Sequence, residues 1–497
     1  MSHAATIAVP SPETASAPSL SGAFTAFTAT ISGYFFLACA SLYWTTAAAG
    51  ALIGILLPRR VIELAPTAWL GGSSVVMAAA TQTLSSFFPD YTNPMDIAAE
   101  VGLWLSIGLF ARCYLVYADY PATFEGLKQS IAERPLDRRI ASVLHHPIDA
   151  IFTRIWVANS VAIVPLTILL VVPATMNYFV IAAYSVMLLL SQFPHELIDH
   201  ANTHTRVFQP KIGASPRAKR VLKALQFYFE NVLSVLLGRV SEYHRIQHVY
   251  VHHVEDNGPR DSETTTPYDR TSFLDFSRHA FLQGIDMLTG VFVFNYLRAK
   301  GKKRQLREML RGFLVWYAVL AVIALFNPIA ALLALLSRFV GGNVRSLISF
   351  WQHGLVDPED VHDIHGNSVD FVGHEHGNLG ADYHVEHHLQ PGRHWSAYYE
   401  VYSKQAGAEG GHAAVVMQKE MFGPLAFVAA LWRKDYLAVA RYARLRGVKA
   451  GDDGELARIV EERTRPIGGA ARTGLAARID GWVGRVMARA LPTTFGV

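Results

Sequence analysis

Cysteine is nearly missing from this chain. Of 497 residues only Cys39 and Cys113 carry a thiol, and both sit inside apolar stretches. No disulfide framework and no Cys-x-x-Cys metal site can be built from them, so any metal must be held by histidines and carboxylates. Charge is scarce as well: Asp, Glu, Lys and Arg make up 17% of the chain, against 51% hydrophobic residues. Soluble domains carry roughly 25% charge, and the deficit points to membrane spans. Lys and Arg are absent from residues 1–31, a Ser/Thr/Ala/Pro-rich tail. That tail lacks the positive start of a secretory signal peptide.

What the chain has instead is long apolar runs. Crossing a bilayer takes roughly 20 residues of helix, and seven segments approach that length: 33–57, 67–87, 98–118, 156–173, 177–194, 312–327 and 329–350. Seven such runs argue against buried helices of a soluble protein. The last four form two hairpins, one turning within Pro173 to Met176 and one at Asn327-Pro328; short connections make antiparallel neighbours. A third apolar run, Phe281–Tyr296, is too short and mixed for a span. Net charge is +4, and its distribution sets orientation. Residues 195–311 hold 18 Lys and Arg, residues 119–155 hold five, and residues 88–97 hold none. The positive-inside bias puts both basic segments in the cytoplasm and residues 88–97 outside.

Histidines gather in 195–311 and in the chain after the last apolar run, on the side expected to be cytoplasmic. They form His195-Glu-Leu-Ile-Asp-His200, His248-Val-Tyr-Val-His252-His253, a single His353, and His384-Val-Glu-His387-His388. On a helix, residues three or four apart share a face. The spacing therefore predicts that His384, His387 and His388 point at one locus, and that His248 and His252 do so while His253 reaches a second metal. His195 and His200, five apart, need a helix end or distortion, which Pro194 would supply. His204, His244, His362, His365, His374 and His376 lie nearby as second-shell donors, alternative ligands or surface residues. Structural zinc normally takes four ligands, and nine histidines overfill one zinc. Two irons fit the count better. Glu196, Asp199, Asp382 and Glu386 are expected to orient metal-bound imidazoles through their second ring nitrogens.

These boxes resemble those of the membrane fatty acid desaturase and hydroxylase superfamily, which includes the alkane monooxygenases. The family's H-x(3,4)-H is similar to His195…His200, its H-x(2,3)-H-H to His248…His252-His253, and its H-x-x-H-H to His384…His387-His388. The three-residue gap in the second box is the alkane-monooxygenase form. His353 stands where the family has a histidine ending its fourth core span. Ser349 replaces an asparagine that, in acyl-CoA desaturases, contacts the site through water. A wider pattern, Gln352-His353-Gly-Leu-Val-Asp357-Pro358 with Asp382-Tyr383-His384 and Pro391-Gly-Arg-His394-Trp395, looks like a desaturase-like branch.

The expected fold is an all-α polytopic membrane bundle. It has two core hairpins plus N-terminal spans, and a cytoplasmic helical cap carrying a di-metal site. Expected segments are a tail (1–31), N-terminal spans (32–118), the histidine-box region (119–400) and a cytoplasmic tail domain (401–497) containing a basic amphipathic helix around Leu475 to Arg489. The resemblance implies two non-haem iron ions and O2, acting on a lipid or long-chain alkyl substrate. Desaturation of a fatty acyl chain leads, and hydroxylation of an alkane or acyl chain is the alternative. A separate electron donor of ferredoxin, rubredoxin or cytochrome b5 type is implied, with no nucleic-acid partner. Basic clusters such as Arg217, Lys219, Arg220 and Lys223 offer a surface for an acidic carrier, or serve only as positive-inside flanks. A metal transporter would instead place its ligands near the bilayer midplane.

Overall fold

The computed structural model describes residues 120–172, 178–405, 415–417, 424–445, 452–468, 478, 481 and 482. The first three expected spans, the tail 1–31, the loop 88–97 and nearly all of the C-terminal amphipathic helix lie outside these residues. The described chain is mostly helical. Its helices are α1 (Phe124–Glu133), α2 (Pro135–Ala141), α3 (Pro147–Val171), α4 (Tyr178–His204), α5 (Pro216–Tyr228) and α6 (Tyr243–Gln247). There follow α7 (Phe273–Thr289), α8 (Val291–Ala299), α9 (Lys303–Phe326), α10 (Pro328–Gln352), α11 (His384–Leu389) and α12 (Tyr398–Gln405). Beyond 420 come α13 (Pro424–Trp432), α14 (Tyr436–Tyr442) and α15 (Asp453–Arg463).

Helices α3, α9 and α10 are each long and apolar enough to cross a membrane. Helix α4, with 27 residues, is about 40 Å long. The outer face of α9 leaves Leu310, Leu314, Val315, Val319, Val322, Leu325 and Phe326 exposed, a patch that lipid, not water, would cover. At the α9/α10 turn, Asn327 accepts hydrogen bonds from the Ile329 and Ala330 amides, and Pro328 occupies the first helical position. Proline there costs no hydrogen bond. The Asn327 side chain also donates to the Leu170 carbonyl at 2.6 Å, tying this turn to the end of α3.

Two expectations change. Pro194 does not break α4, which runs unbroken from Tyr178 to His204; a single missing backbone bond is offset by packing on both sides. The run Phe281–Tyr296 is split by Gly290 into α7 and α8, bent by 73°. Gly290 has φ +64, and a Cβ there would meet Phe313 at 2.7 Å, so only glycine makes this corner without strain.

The all-α expectation also gains a small sheet: β1 (Val369–Phe371) pairs parallel with β2 (Val415–Met417), and β2 antiparallel with β3 (Ala443–Leu445). A buried apolar cluster joins this sheet to α10 and to α13, α14 and α15 through Phe350, Trp351, Phe371, Phe427 and Val439.

Helix α10 crosses α7 with backbones in contact. A Cβ on Gly342 would lie 2.5 Å from the Gly284 nitrogen and 2.7 Å from the Gln283 carbonyl carbon. No flexible side chain can yield there. Gly342→Ala is expected to lower stability by about 2 kcal/mol, within the usual cost of overpacking, because the helices must part. A thermal midpoint in detergent equal to that of the unaltered protein would refute the close crossing.

Candidate metal centre

Four elements bring the histidines together: the C-terminal turn of α4, a π-helical turn at His248–His252, the residue capping α10, and α11. They form two clusters. In the first, His387 Nε2 lies 3.1 Å from His200 Nε2, 3.3 Å from His248 Nε2 and 2.9 Å from His253 Nε2. His204 completes it, one turn after His200 on α4, with ligand atoms of His200, His204, His248 and His387 all within 4.8 Å of one another. The second cluster is His252, His353, His384 and His388, gathered within the same limit. His384 Nε2 is 2.9 Å and His252 Nε2 3.4 Å from His353 Nε2. Its four residues are all buried.

The backbone decides which ring goes where. In the π turn the His253 amide bonds the His248 carbonyl, five residues back. Such a turn brings positions five apart into register, and π-bulges recur at functional sites. His248 and His253 therefore share the first cluster while His252 faces the second, the reverse of the α-helical expectation. Helix α11 likewise splits its box. His384 and His388, four apart, enter the second cluster, and His387 enters the first, where a single locus for all three was expected.

His195 is not brought to either cluster. Its ring is buried beside Phe229, with Nε2 3.0 Å from Ser234 Oγ. An unbroken α4 makes this unavoidable, since positions five apart point to different sides. His204 takes the place, and its signal was in the sequence: His200-Ala-Asn-Thr-His204 is itself an H-x(3)-H box.

The carboxylates also differ from expectation. Glu196 pairs with Arg239 and lies 3.3 Å from His244 Nε2, while Asp199 lies 2.7 Å from His244 Nδ1. Both serve a buried ionic network with Arg239 and Arg345, not a clustered histidine. Asp382 accepts from Asn378 at 3.3 Å, and burial pushes its carboxyl well above the usual range. Glu386 is buried on α11. Three further groups hold cluster rings. Asp261 Oδ2 is 2.6 Å from His252 Nδ1, Asp256 Oδ1 is 2.8 Å from His388 Nδ1, and the Asn367 carbonyl is 2.7 Å from His353 Nδ1. Tyr398 adds a longer contact, its hydroxyl 3.4 Å from His387 Nδ1. The acidic run Glu255-Asp256 to Asp261 and Glu263, just after the second box, was the available signal. Glu263 itself sits within 4.8 Å of the ligand atoms of His248 and His252 and is held by Arg345 at 3.2 Å. Ser349 turns its hydroxyl back to the Arg345 carbonyl at 3.0 Å.

These partners fix tautomers. A carbonyl or carboxylate at Nδ1 must receive a proton, and neutral imidazole has only one. Burial and the neighbouring His252 lower the His353 pKa to about 3, and burial with the neighbouring histidines holds His388 well below its ordinary value. Both rings are therefore neutral with bare Nε2 lone pairs. His388 Nε2 is buried without a hydrogen-bond partner. For His252, burial opposes charge, but the Asp261 carboxylate outweighs it and raises the pKa to about 9. At neutral pH His252 is therefore charged, and a metal would have to displace its Nε2 proton on binding, after which the Asp261 carboxylate strengthens the imidazole as a ligand. Within each cluster the Nε2 atoms approach one another at 2.9–3.4 Å, close enough for one cation to serve several rings. The donor set thus fits two soft-to-borderline transition-metal ions.

Asp261→Asn keeps the side chain's size and removes its charge. It is expected to weaken metal retention about 10–100-fold, the usual cost of losing such an outer partner. Chelator titration of the purified protein reads this, and unchanged retention would remove Asp261 from the site.

A polar cavity of about 410 Å³ opens beside His204, lined among others by Asp199, Arg239, His244, Arg304 and Arg311. A smaller cavity between His200, His204, His387, Leu379, Trp395 and Tyr398 touches the first cluster directly.

Residues 213–418 match the model of the fatty acid desaturase family. That span holds the second box, His353 and the third box, and begins after His200 and His204. No curated protein matches the chain, and no solved structure does.

Proposed function

We propose that this chain, whose residues 213–418 match the model of the fatty acid desaturase family, is a membrane-bound di-iron oxidoreductase that introduces a double bond into a fatty acyl chain. The observation that carries the reading is the pair of histidine clusters, each with four ligand nitrogens gathered within 4.8 Å of one another. His200, His204, His248, His253 and His387 would hold one iron, and His252, His353, His384 and His388 the other. Bound iron would supply dioxygen activation and abstraction of hydrogen from an unactivated C–H bond. In net terms –CH2–CH2– with O2, two electrons and two protons gives –CH=CH– and two waters. The electrons come from a separate protein donor. What the protein's own residues do is positional: Asp256, Asp261 and the Asn367 carbonyl fix ring orientation, and burial keeps water from the second cluster. The basic distribution of the sequence favours a cytoplasmic site.

Hydroxylation is the second reading, favoured by the three-residue gap between His248 and His252. There a C–H bond, O2, two electrons and two protons give an alcohol and one water. Lipid and alkane products formed in a host expressing the unaltered chain, but not His384→Ala, test both. New alkenes support desaturation and chain alcohols support hydroxylation. Identical products from the two strains would overturn the oxidase reading.

A further inference from the structure

Helix α5 has four basic residues and no acidic one: Arg217, Lys219, Arg220 and Lys223. Its inner face is fastened to the protein. Leu222 is buried, and Gln226 accepts from the Phe208 amide at 3.2 Å and donates to Asn202 at 2.7 Å. Arg217, Arg220, Val221, Ala224 and Phe227, at spacings of one helical turn, remain exposed. Val221 and Phe227 are 51% and 62% exposed, and Ile212, just before the helix, is 93% exposed. Large apolar side chains interleaved with basic ones suit neither water nor the protein interior.

The position of α5 identifies what would cover them. Tyr228, at its end, donates to Ser160 Oγ at 3.2 Å and packs edge-on against Trp156 at 5.6 Å. Both partners are on the apolar helix α3. Trp156 is four residues past Phe152, about 6 Å along the axis. Trp and Tyr favour the level where hydrocarbon meets headgroups, so α5 meets α3 near that boundary.

We propose that α5 lies in the headgroup layer and binds anionic phospholipid. Val221, Phe227 and Ile212 enter the acyl boundary, and Arg217, Lys219, Arg220 and Lys223 take the lipid phosphates. A basic amphipathic helix buries its apolar face about 5–10 Å into that boundary, and each basic residue near it adds to the attraction of an anionic surface. The inference needs only the membrane placement of α3, not the oxidation chemistry.

The test uses the full chain with Cys39→Ser and Cys113→Ser, spin-labelled at Val221→Cys or Phe227→Cys. It is reconstituted into vesicles of phosphatidylcholine with or without phosphatidylglycerol. Both labels should collide with O2 in preference to a water-soluble nickel relaxant, and more so with phosphatidylglycerol present. Adding R217Q, K219Q, R220Q and K223Q should abolish the phosphatidylglycerol dependence, a change of about tenfold or more in the apparent lipid preference. Iron content should stay unchanged in all variants, which separates this result from failure of the metal centre. Labels equally exposed to the nickel relaxant in both lipids would overturn the proposal. So would protection of the labels only on adding an acidic ferredoxin, which would assign the face to an electron carrier.

Discussion

Replacing His387 with alanine is expected to lower bound iron from about two per chain to one or fewer and to reduce oxidation more than about 100-fold. Loss of a single outer partner already costs 10–100-fold, and His387 is no outer partner. Its Nε2 is within 3.3 Å of three other histidine nitrogens, so it stands at the centre of the first cluster. Membrane insertion should be unaffected, since α11 lies outside the apolar helices. Elemental analysis of the purified protein, with products assayed in the same membranes, measures both effects. Two irons and full activity in His387→Ala would dismantle the first cluster as a metal site.

The second large effect is a contrast between two histidines on one helix. His204→Ala should lose iron and activity much as His387→Ala does. His195→Ala should keep both irons and most of its activity. Losing the His195–Ser234 bond and the packing on Phe229 should cost stability by about 1–3 kcal/mol, from the lost hydrogen bond and the cavity left behind, while Ser234 keeps its bond to the Phe229 carbonyl. A thermal midpoint and an iron determination on each variant separate the outcomes. If His195→Ala lost iron while His204→Ala kept it, the box would be His195…His200 after all, and α4 would have to break at Pro194.

Much of this arrangement was legible in the residues. The scarcity of cysteine confined metal ligands to histidine and carboxylate, the second and third boxes stand out by their spacing, and His353 only through the family resemblance. Of the two apolar hairpins only 329–350 was bounded closely, as Pro328–Gln352; 177–194 runs on to His204, and 156–173 and 312–327 begin at Pro147 and Lys303, because the polar turns at these helix ends carry no hydropathy signal. Two departures lie in the backbone path: His248, His252 and His253 stand on a π turn where spacing implied a regular α-helix, and Pro194 does not end the helix that carries His195 and His200. Proline removes one hydrogen bond locally, but whether the helix continues depends on packing that distant segments provide.

By itself, the sequence determined the kinds of atoms that can hold metal, the membrane-seeking helices and the chain segments that bear ligands, because these follow from composition and short-range spacing. Tertiary structure decided how nine rings divide between two clusters and which carboxylates hold them. Asp256 meets His388 across 132 residues of chain, and the Asn367 carbonyl meets His353 only because α10 ends beside the segment leading to β1. Contacts of that kind have no period or spacing to betray them; they exist because folded elements exclude water from one shared volume and leave each buried nitrogen a single available partner.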